Sequence, residues 1–387
     1  MTEQPFHVSV NKLRPETRSR IEDVIRSAVP SVAPVLALSV WQSGAPSFEA
    51  YAGWLDPGSE TIRAGYGTLF DLASVTKLFT STAFLRLAHD GKVDLDDPVV
   101  GVIPELGAGG PRVVDGGQEP LSRRLLPTPE DRQGWTVDPA TATFKQLLTH
   151  TGGLAPWRAV FLDSGLDAVY RYPFVARPGE EFHYSDLGFM LLGEAVSRLS
   201  GTPLDLAMQT LIRDRLGLDS LTYAPLRAGR PRERIAPTSF DGDWRGRRCW
   251  GEVEDENAAS LEGIAGHAGL FATVEDVARF GVAWLRHDPR LRLDAVWTTA
   301  TIDQTPRMSA ARGLGWQVQP TDYLASLSAS AYGHTGFTGT SLAVDPERDL
   351  VVALLTNRVY AGRTHEGIDK LRMDVHRIVA EAFNMRS

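Results

Sequence analysis

Apolar positions recur along the chain with two different periods. Ile21, Val24, Ile25 and Val29 fall on one helical face between charged residues, which predicts an amphipathic helix within the first 29 residues. After Pro30 and Pro34, the β-branched run VLALSVWQ reads as a buried strand, and residues 46–52 before Gly53 read as a second, joined by a polar turn. Leu78, Ala83, Leu85 and Leu87 predict an apolar helix that Gly91 ends. Residues 96–140 are rich in loop formers: Asp97-Pro98, the cluster from Gly107 to Gly110, Gly116-Gly117 and a polar run around Glu130. Helical patterns follow at 143–149, 186–199 and 203–215, with long connections at 225–260. Thr273-Val-Glu-Asp276 resembles a capping box ahead of a helix through Phe280 and Leu285. The string SLAVDPERDLVVALLTN then holds two strands joined at Asp345–Asp349, and a last helix spans about 365–383. Strands at both ends and helices in the middle predict a discontinuous α/β domain (1–95 and 261–387). A mainly helical domain (96–260) is inserted into it.

Composition narrows the possible chemistry. The 387 residues are 43% hydrophobic and 23% charged, the balance of an ordinary globular chain. Forty basic against 48 acidic residues give a net charge of -8, which disfavours nucleic acid and anionic membrane surfaces as partners. Cys249 is the only cysteine, so neither a disulfide framework nor a cysteine zinc site is expected, and no cofactor is implied. His150, His183 and His267 lack the spacing of a zinc site, so no metal is expected either. The first fifteen residues carry no apolar signal-like core, and the apolar run at 351–357 is too short to span a bilayer. These features predict a cytoplasmic protein, or an exported one if a leader has been removed. No helix carries an extended heptad, so a monomer is the expectation.

Ser74 and Lys77 stand at i and i+3, where a helix start would bring hydroxyl and amine to one face. Developing negative charge on the hydroxyl is favoured there by unpaired helix amides. The lysine serves as a base only if burial or a neighbouring cation lowers its pKa. Ser9 and Lys12 have the same spacing, but Pro15 biases Arg14 away from helix and nothing nearby supplies an apolar wall. Lys92, Lys145 and Lys370 have no serine three residues before them. Ser74 is therefore the candidate nucleophile, although a serine opening a helix is also an ordinary cap.

With Tyr184-Ser185-Asp186 in EFHYSDLGFMLLG and His334-Thr335-Gly336 in AYGHTGFTGTSLAVD, the sequence resembles the penicillin-recognising serine hydrolases of the class C β-lactamase type. That group includes D,D-peptidases, D-aminopeptidases and β-lactamase-like esterases. LFDLASVTK, FKQLLTHTGGL and DENAASLEGIAGHAGLFATVEDVARF are similar to the same family, and the likeness runs from about residue 15 to 380. It implies a β-lactamase/transpeptidase-like α/β plus α fold: an antiparallel sheet flanked by N- and C-terminal helices, with a helical insertion and the active site in the cleft between the two parts. His-Thr-Gly occurs twice, at 150–152 and 334–336. The copy before a glycine-punctuated strand is assigned to the active-site wall, and His150 to structure.

The resemblance implies acyl transfer in two steps. Ser74 attacks a carbonyl, and Lys77 and Tyr184 share the general-base work, with the first proton acceptor left open. The backbone amides of Ser74 and Phe337 form the oxyanion hole, and the Phe337 side chain is a candidate wall of the acyl pocket. His334 replaces the lysine of most β-lactamases and is expected to be partly charged near neutral pH, a weak anchor for a carboxylate. Asp186 replaces an asparagine, accepts only, and suits Lys77 or a substrate ammonium. Thr335 and Gly336 complete the wall, and Trp157, His183, Glu256, Asn257 and His267 are further pocket candidates. The expected partner is a small acyl substrate, an ester or small amide. The alternatives are β-lactams as substrate or covalent inhibitor, D,D-peptidase or D-aminopeptidase activity, and a binding protein that has lost turnover.

Overall fold

The computed structural model describes residues 4–294, 296–319 and 322–383. Its centre is one antiparallel sheet drawn from both ends of the chain. The strands are β1 (Phe6–Asn11), β2 (Val35–Gln42), β3 (Ala45–Gly53), β4 (Gln317–Val318), β5 (Tyr332–Thr335), β6 (Ser341–Asp345) and β7 (Leu350–Thr356). Their spatial order is β1-β3-β2-β7-β6-β5-β4. The two halves join at β2 and β7, where Trp41 pairs with Val351 and Ala37 with Leu355. The longer helices are α1 (Pro15–Ala28), α2 (Thr76–His89), α3 (Asp186–Ser200), α4 (Val274–Leu285) and α5 (Ile368–Ala382).

Strand alternation decides which helix covers which face. Leu36, Leu38 and Val40 of β2 pack with Ile21 and Ile25 of α1 and with Val375 and Val379 of α5. Val35 and Ala37 turn the other way and share a core with Phe280 of α4 and Phe79 of α2. This second core continues into residues 96–260, where Leu147, Phe189 and Leu192 belong to it. The helical insertion is thus packed onto the sheet side that carries α2.

The strands at 35–53 and 341–356 and the longer helices lie where the sequence reading puts them, whereas β1, β4 and β5 do not appear in it. β1 was not anticipated: Phe6, Val8 and Val10 alternate with polar residues and pair with β3 at the sheet edge. A half-buried edge strand needs only this weak alternation, which a short polar-flanked segment hides. Ser9 therefore lies on β1, its hydroxyl bonded to Glu49, in a part of the fold unrelated to Ser74. The insertion also returns a short strand, Thr222–Tyr223, to Leu270–Ala272, which pairs on its other side with Phe70–Asp71. Among the described residues no helix is long and apolar enough to cross a membrane.

Candidate active site

The short strand Phe70–Asp71 enters α2 through a tight turn at Ala73–Val75. Ala73 sits at φ +46°, a left-handed conformation that costs a side-chain-bearing residue of order 1 kcal/mol and must be held by its surroundings. Asp71 holds it. One carboxylate oxygen accepts the Ala73 N–H at 2.9 Å and the other accepts the Glu254 N–H at 2.7 Å. Burial pushes the Asp71 carboxyl up to about 7, against the pull of those two donors. Ser74 is thereby presented, half-buried, on the wall of a cleft of about 1150 Å³.

Lys77 lies one turn further on and is fully buried. Its Nζ donates to Ser74 Oγ at 2.9 Å, to Asp186 Oδ1 at 2.7 Å and to the His267 carbonyl at 3.3 Å. Three acceptors match the three protons of an ammonium, whereas a neutral amine has only two to give. Burial works against the charge, but the Asp186 carboxylate and the Tyr184 phenol outweigh it and hold the amine above its ordinary value. The lowered lysine pKa required for a Lys77 base is thus not what the site provides, because Asp186 stands where an uncharged amide was the alternative.

Tyr184 precedes α3, whose N-cap is Ser185, the side chain accepting the Gly188 N–H. Asp186 is therefore free of capping duty and points at Lys77. The Lys77 ammonium lies 4.7 Å from the centre of the Tyr184 ring. His150 packs against the same ring at 4.4 Å between centroids, and its Nδ1 accepts the Ser185 N–H at 3.0 Å. The first His-Thr-Gly copy therefore supports Tyr184 from behind. His334, on β5, has its ring centre 6.0 Å from that of Tyr184. Its Nδ1 lies 2.7 Å from the Thr335 carbonyl, which only accepts, so the proton is on Nδ1 and Nε2 is left as an acceptor. The expectation of a partly charged His334 is corrected: burial, reinforced by Lys77 and Arg312, pulls its pKa down to about 3, so the ring is neutral at neutral pH.

The turn after β5 is locked onto the segment that leads into Ser74. Thr338 Oγ1 donates to the Asp71 carbonyl at 2.8 Å and Thr340 Oγ1 to the Leu72 carbonyl at 2.9 Å. Gly336 allows this contact, since a Cβ there would lie 2.6 Å from the Leu72 carbonyl oxygen and 2.1 Å from Thr340 Oγ1. Ser74, Thr335, Gly336 and Phe337 all line the cleft, and the Phe337 ring is partly exposed in it.

Of the remaining candidates, Trp157, Glu256 and His267 line the cleft, whereas His183 and Asn257 do not. His183 pairs with Glu181, and Asn257 ties the backbone of Arg158 and Phe161 to its own helix. Glu256 is held with Glu254 by Arg363. His267 reaches the site through its carbonyl, while its ring bonds Asp255 at 2.9 Å. Among the described residues no group of three His, Cys, Asp or Glu side chains could hold a metal ion.

Sequence reasoning missed Arg312. Its guanidinium lines the cleft, lies 5.0 Å from the Phe182 ring centre and donates to the adjacent Ala311 carbonyl. Among the described residues no carboxylate lies within ion-pair distance of it, and burial lowers its pKa. A lone arginine in a loop carries no spacing signal that could have marked it.

A β-lactamase family model matches residues 22–377. Proteins described as putative D-alanyl-D-alanine carboxypeptidases are 30% identical over 329 residues in Salmonella enteritidis PT4 and over 334 in Escherichia coli K12. In each case 78% of this chain and 72% of the relative are covered. Among solved structures, a penicillin-binding protein homologue from Caulobacter crescentus superposes with a TM-score of 0.71 at 19% identity, covering 98% of this chain and all of that one. Simvastatin synthase (LovD) from Aspergillus terreus gives 0.72 at 19% identity, with 95% and 98% covered. Continuous family match, sheet architecture and cleft lead to one conclusion: this chain belongs to the β-lactamase family and has the fold of the penicillin-recognising serine hydrolases.

Proposed function

We propose that the protein is a serine hydrolase that forms an acyl-enzyme at Ser74 and acts on carboxylic esters or small amides. The observation that carries this reading is the Lys77 ammonium, which donates to Ser74 Oγ at 2.9 Å while Asp186 balances its charge. Because Lys77 donates to that oxygen, the serine's own proton is directed elsewhere, and Tyr184, which the step requires as its phenolate, is the acceptor assigned to it. Ser74 Oγ bonds to the carbonyl carbon, and the oxyanion is taken up by the N–H groups of Ser74 and Phe337. Tyr184 then passes the proton to the leaving group, which departs as an alcohol or amine. A water that gives its proton to Tyr184 attacks the acyl carbon and releases the acid, and the proton returns to Ser74. Neutral His334 offers Nε2 as an acceptor beside Tyr184 through this cycle.

The test is turnover of p-nitrophenyl butyrate by the wild-type protein and by S74A. Loss of at least about a thousandfold in kcat is expected on removing the nucleophile, and undiminished turnover by a folded S74A would end this reading. Arg312 favours a second reading, cleavage of a carboxylate-bearing substrate such as a peptide with a free C-terminus, for which it supplies a cation with no ion pair among the described residues. R312M is expected to raise KM for a carboxylate-bearing amide about tenfold or more while leaving the neutral ester within about twofold. Equal effects on both substrates would remove Arg312 from substrate recognition.

A further inference from the structure

The turn that carries Phe337 is gripped by two arginines with no place in the chemistry so far. Arg372, buried on α5, donates through Nη2 to the Gly336 carbonyl and the Thr340 carbonyl, both at 2.9 Å, and through Nη1 to Asp369 at 3.1 Å. Arg358 donates through Nε to the Phe337 carbonyl at 2.9 Å, and its backbone N–H binds the Thr338 carbonyl at 3.0 Å. Burying a guanidinium costs several kcal/mol unless its donors are matched, so its place against two carbonyls of one turn asks for a reason.

Peptide geometry supplies it. The Gly336 carbonyl and the Phe337 N–H belong to one peptide unit, which is trans and planar, so the two groups point in opposite directions. Drawing the carbonyl toward α5 aims the N–H away from α5. The Gly339 N–H shares the same carbonyl at 3.0 Å, which completes its acceptor capacity. We infer that Arg372 is the positioning residue of the oxyanion site. It fixes the Gly336–Phe337 peptide plane so that the Phe337 N–H faces the reacting carbonyl, and it polarises that peptide with a full positive charge. Arg358 fixes the next plane of the same turn. The inference rests on the acyl-enzyme reading above and adds to it the residue that sets donor direction.

Such a role acts on the tetrahedral state and hardly at all on substrate binding. R372K keeps the charge but loses the fork that spans two carbonyls, and R372M loses both. In either folded variant kcat for p-nitrophenyl butyrate is expected to fall about tenfold to a hundredfold with KM within about threefold. Affinity for phenylboronic acid, whose tetrahedral adduct on Ser74 mimics the oxyanion, is expected to fall by the same factor. R372M is expected to lose more than R372K. If kcat holds in folded R372M, or if the whole loss sits in KM with boronate affinity intact, the inference is overturned. Should both Arg372 variants fail to fold, R358M reports on the same turn from its exposed side: a lower kcat at constant KM supports the inference, and an unchanged kcat overturns it. Turnover abolished in S74A but untouched in R372M sinks this inference alone, whereas undiminished turnover in S74A sinks the acyl-enzyme reading as well.

Discussion

Lys77 shows how an aspartate at position 186 sets the charge of its neighbour. Its ammonium is saturated by Ser74, Asp186 and the His267 carbonyl, so in the proposed reaction it would stabilise charge and orient Ser74, leaving proton transfer to Tyr184. The Asp186 carboxylate raises the Lys77 pKa, so D186N lowers it again. An amine whose protonated form is required is lost as pH rises through its pKa. The alkaline limb of kcat/KM is therefore expected to move to lower pH in D186N, measured from pH 6 to 11. An unmoved alkaline limb would separate that limb from Lys77. That Ser74, Lys77 and Tyr184 would lie together was legible in the sequence, because each sits in a string that resembles the family's. Charge states were not: the neutrality of His334 comes from burial and from Lys77 and Arg312, which are distant in sequence. Arg312 and Arg372 were equally invisible, since only the fold says which of 35 arginines faces a cleft or a carbonyl.

At the level of elements, the site is set by where backbones touch. α3 delivers Tyr184 and Asp186, and it crosses the 263–269 segment so closely that Gly193 and Gly266 face each other without side chains. A Cβ on Gly266 would lie 2.1 Å from the Phe189 carbonyl oxygen and 2.7 Å from the Gly193 nitrogen, atoms that cannot rotate away. G266A is therefore expected to destabilise the fold by about 3 kcal/mol, the upper end for overpacking, and to displace the neighbouring His267 carbonyl from Lys77. Denaturant titration reads the first effect. Loss of activity in the fraction that stays folded reads the second, and a stable, fully active G266A would show that α3 can shift without disturbing the site. The sequence announced these elements well where periodicity was strong: the strands at 35–53 and 341–356 and the helix from 186 lie where the patterns put them. It failed at β1, whose three inward residues are too few to stand out. It also gave no sign that Thr222–Tyr223 leaves the helical stretch to pair with Leu270–Ala272, because two-residue strands carry no period.

Across the whole molecule, a chain of this length could unfold in two steps if its α/β part and its helical insertion were independent. The packing argues otherwise. One apolar cluster contains Val351 and Phe280 from the sheet side, Leu78 and Phe84 from α2, and Leu147, Phe189 and Leu192 from the insertion. α2 is its hub: apart from its last two residues it is buried all round, with Phe84 beside Phe144 of the insertion at 4.8 Å and Phe79 stacked on Phe280 at 4.0 Å. A helix that gives one face to each part makes each part the other's solvent shield, so exposing either would uncover apolar surface worth about 25 cal/mol per Å² on both. Calorimetry is therefore expected to give a single transition whose calorimetric and van't Hoff enthalpies agree. Loss of Ser74 labelling by a fluorophosphonate should coincide with the change in tryptophan fluorescence from the Trp284–Trp297–Trp316 cluster beneath the sheet. Labelling lost well below that fluorescence change would mean that the insertion opens by itself, and the cleft would then be a joint between two units instead of a seam in one core.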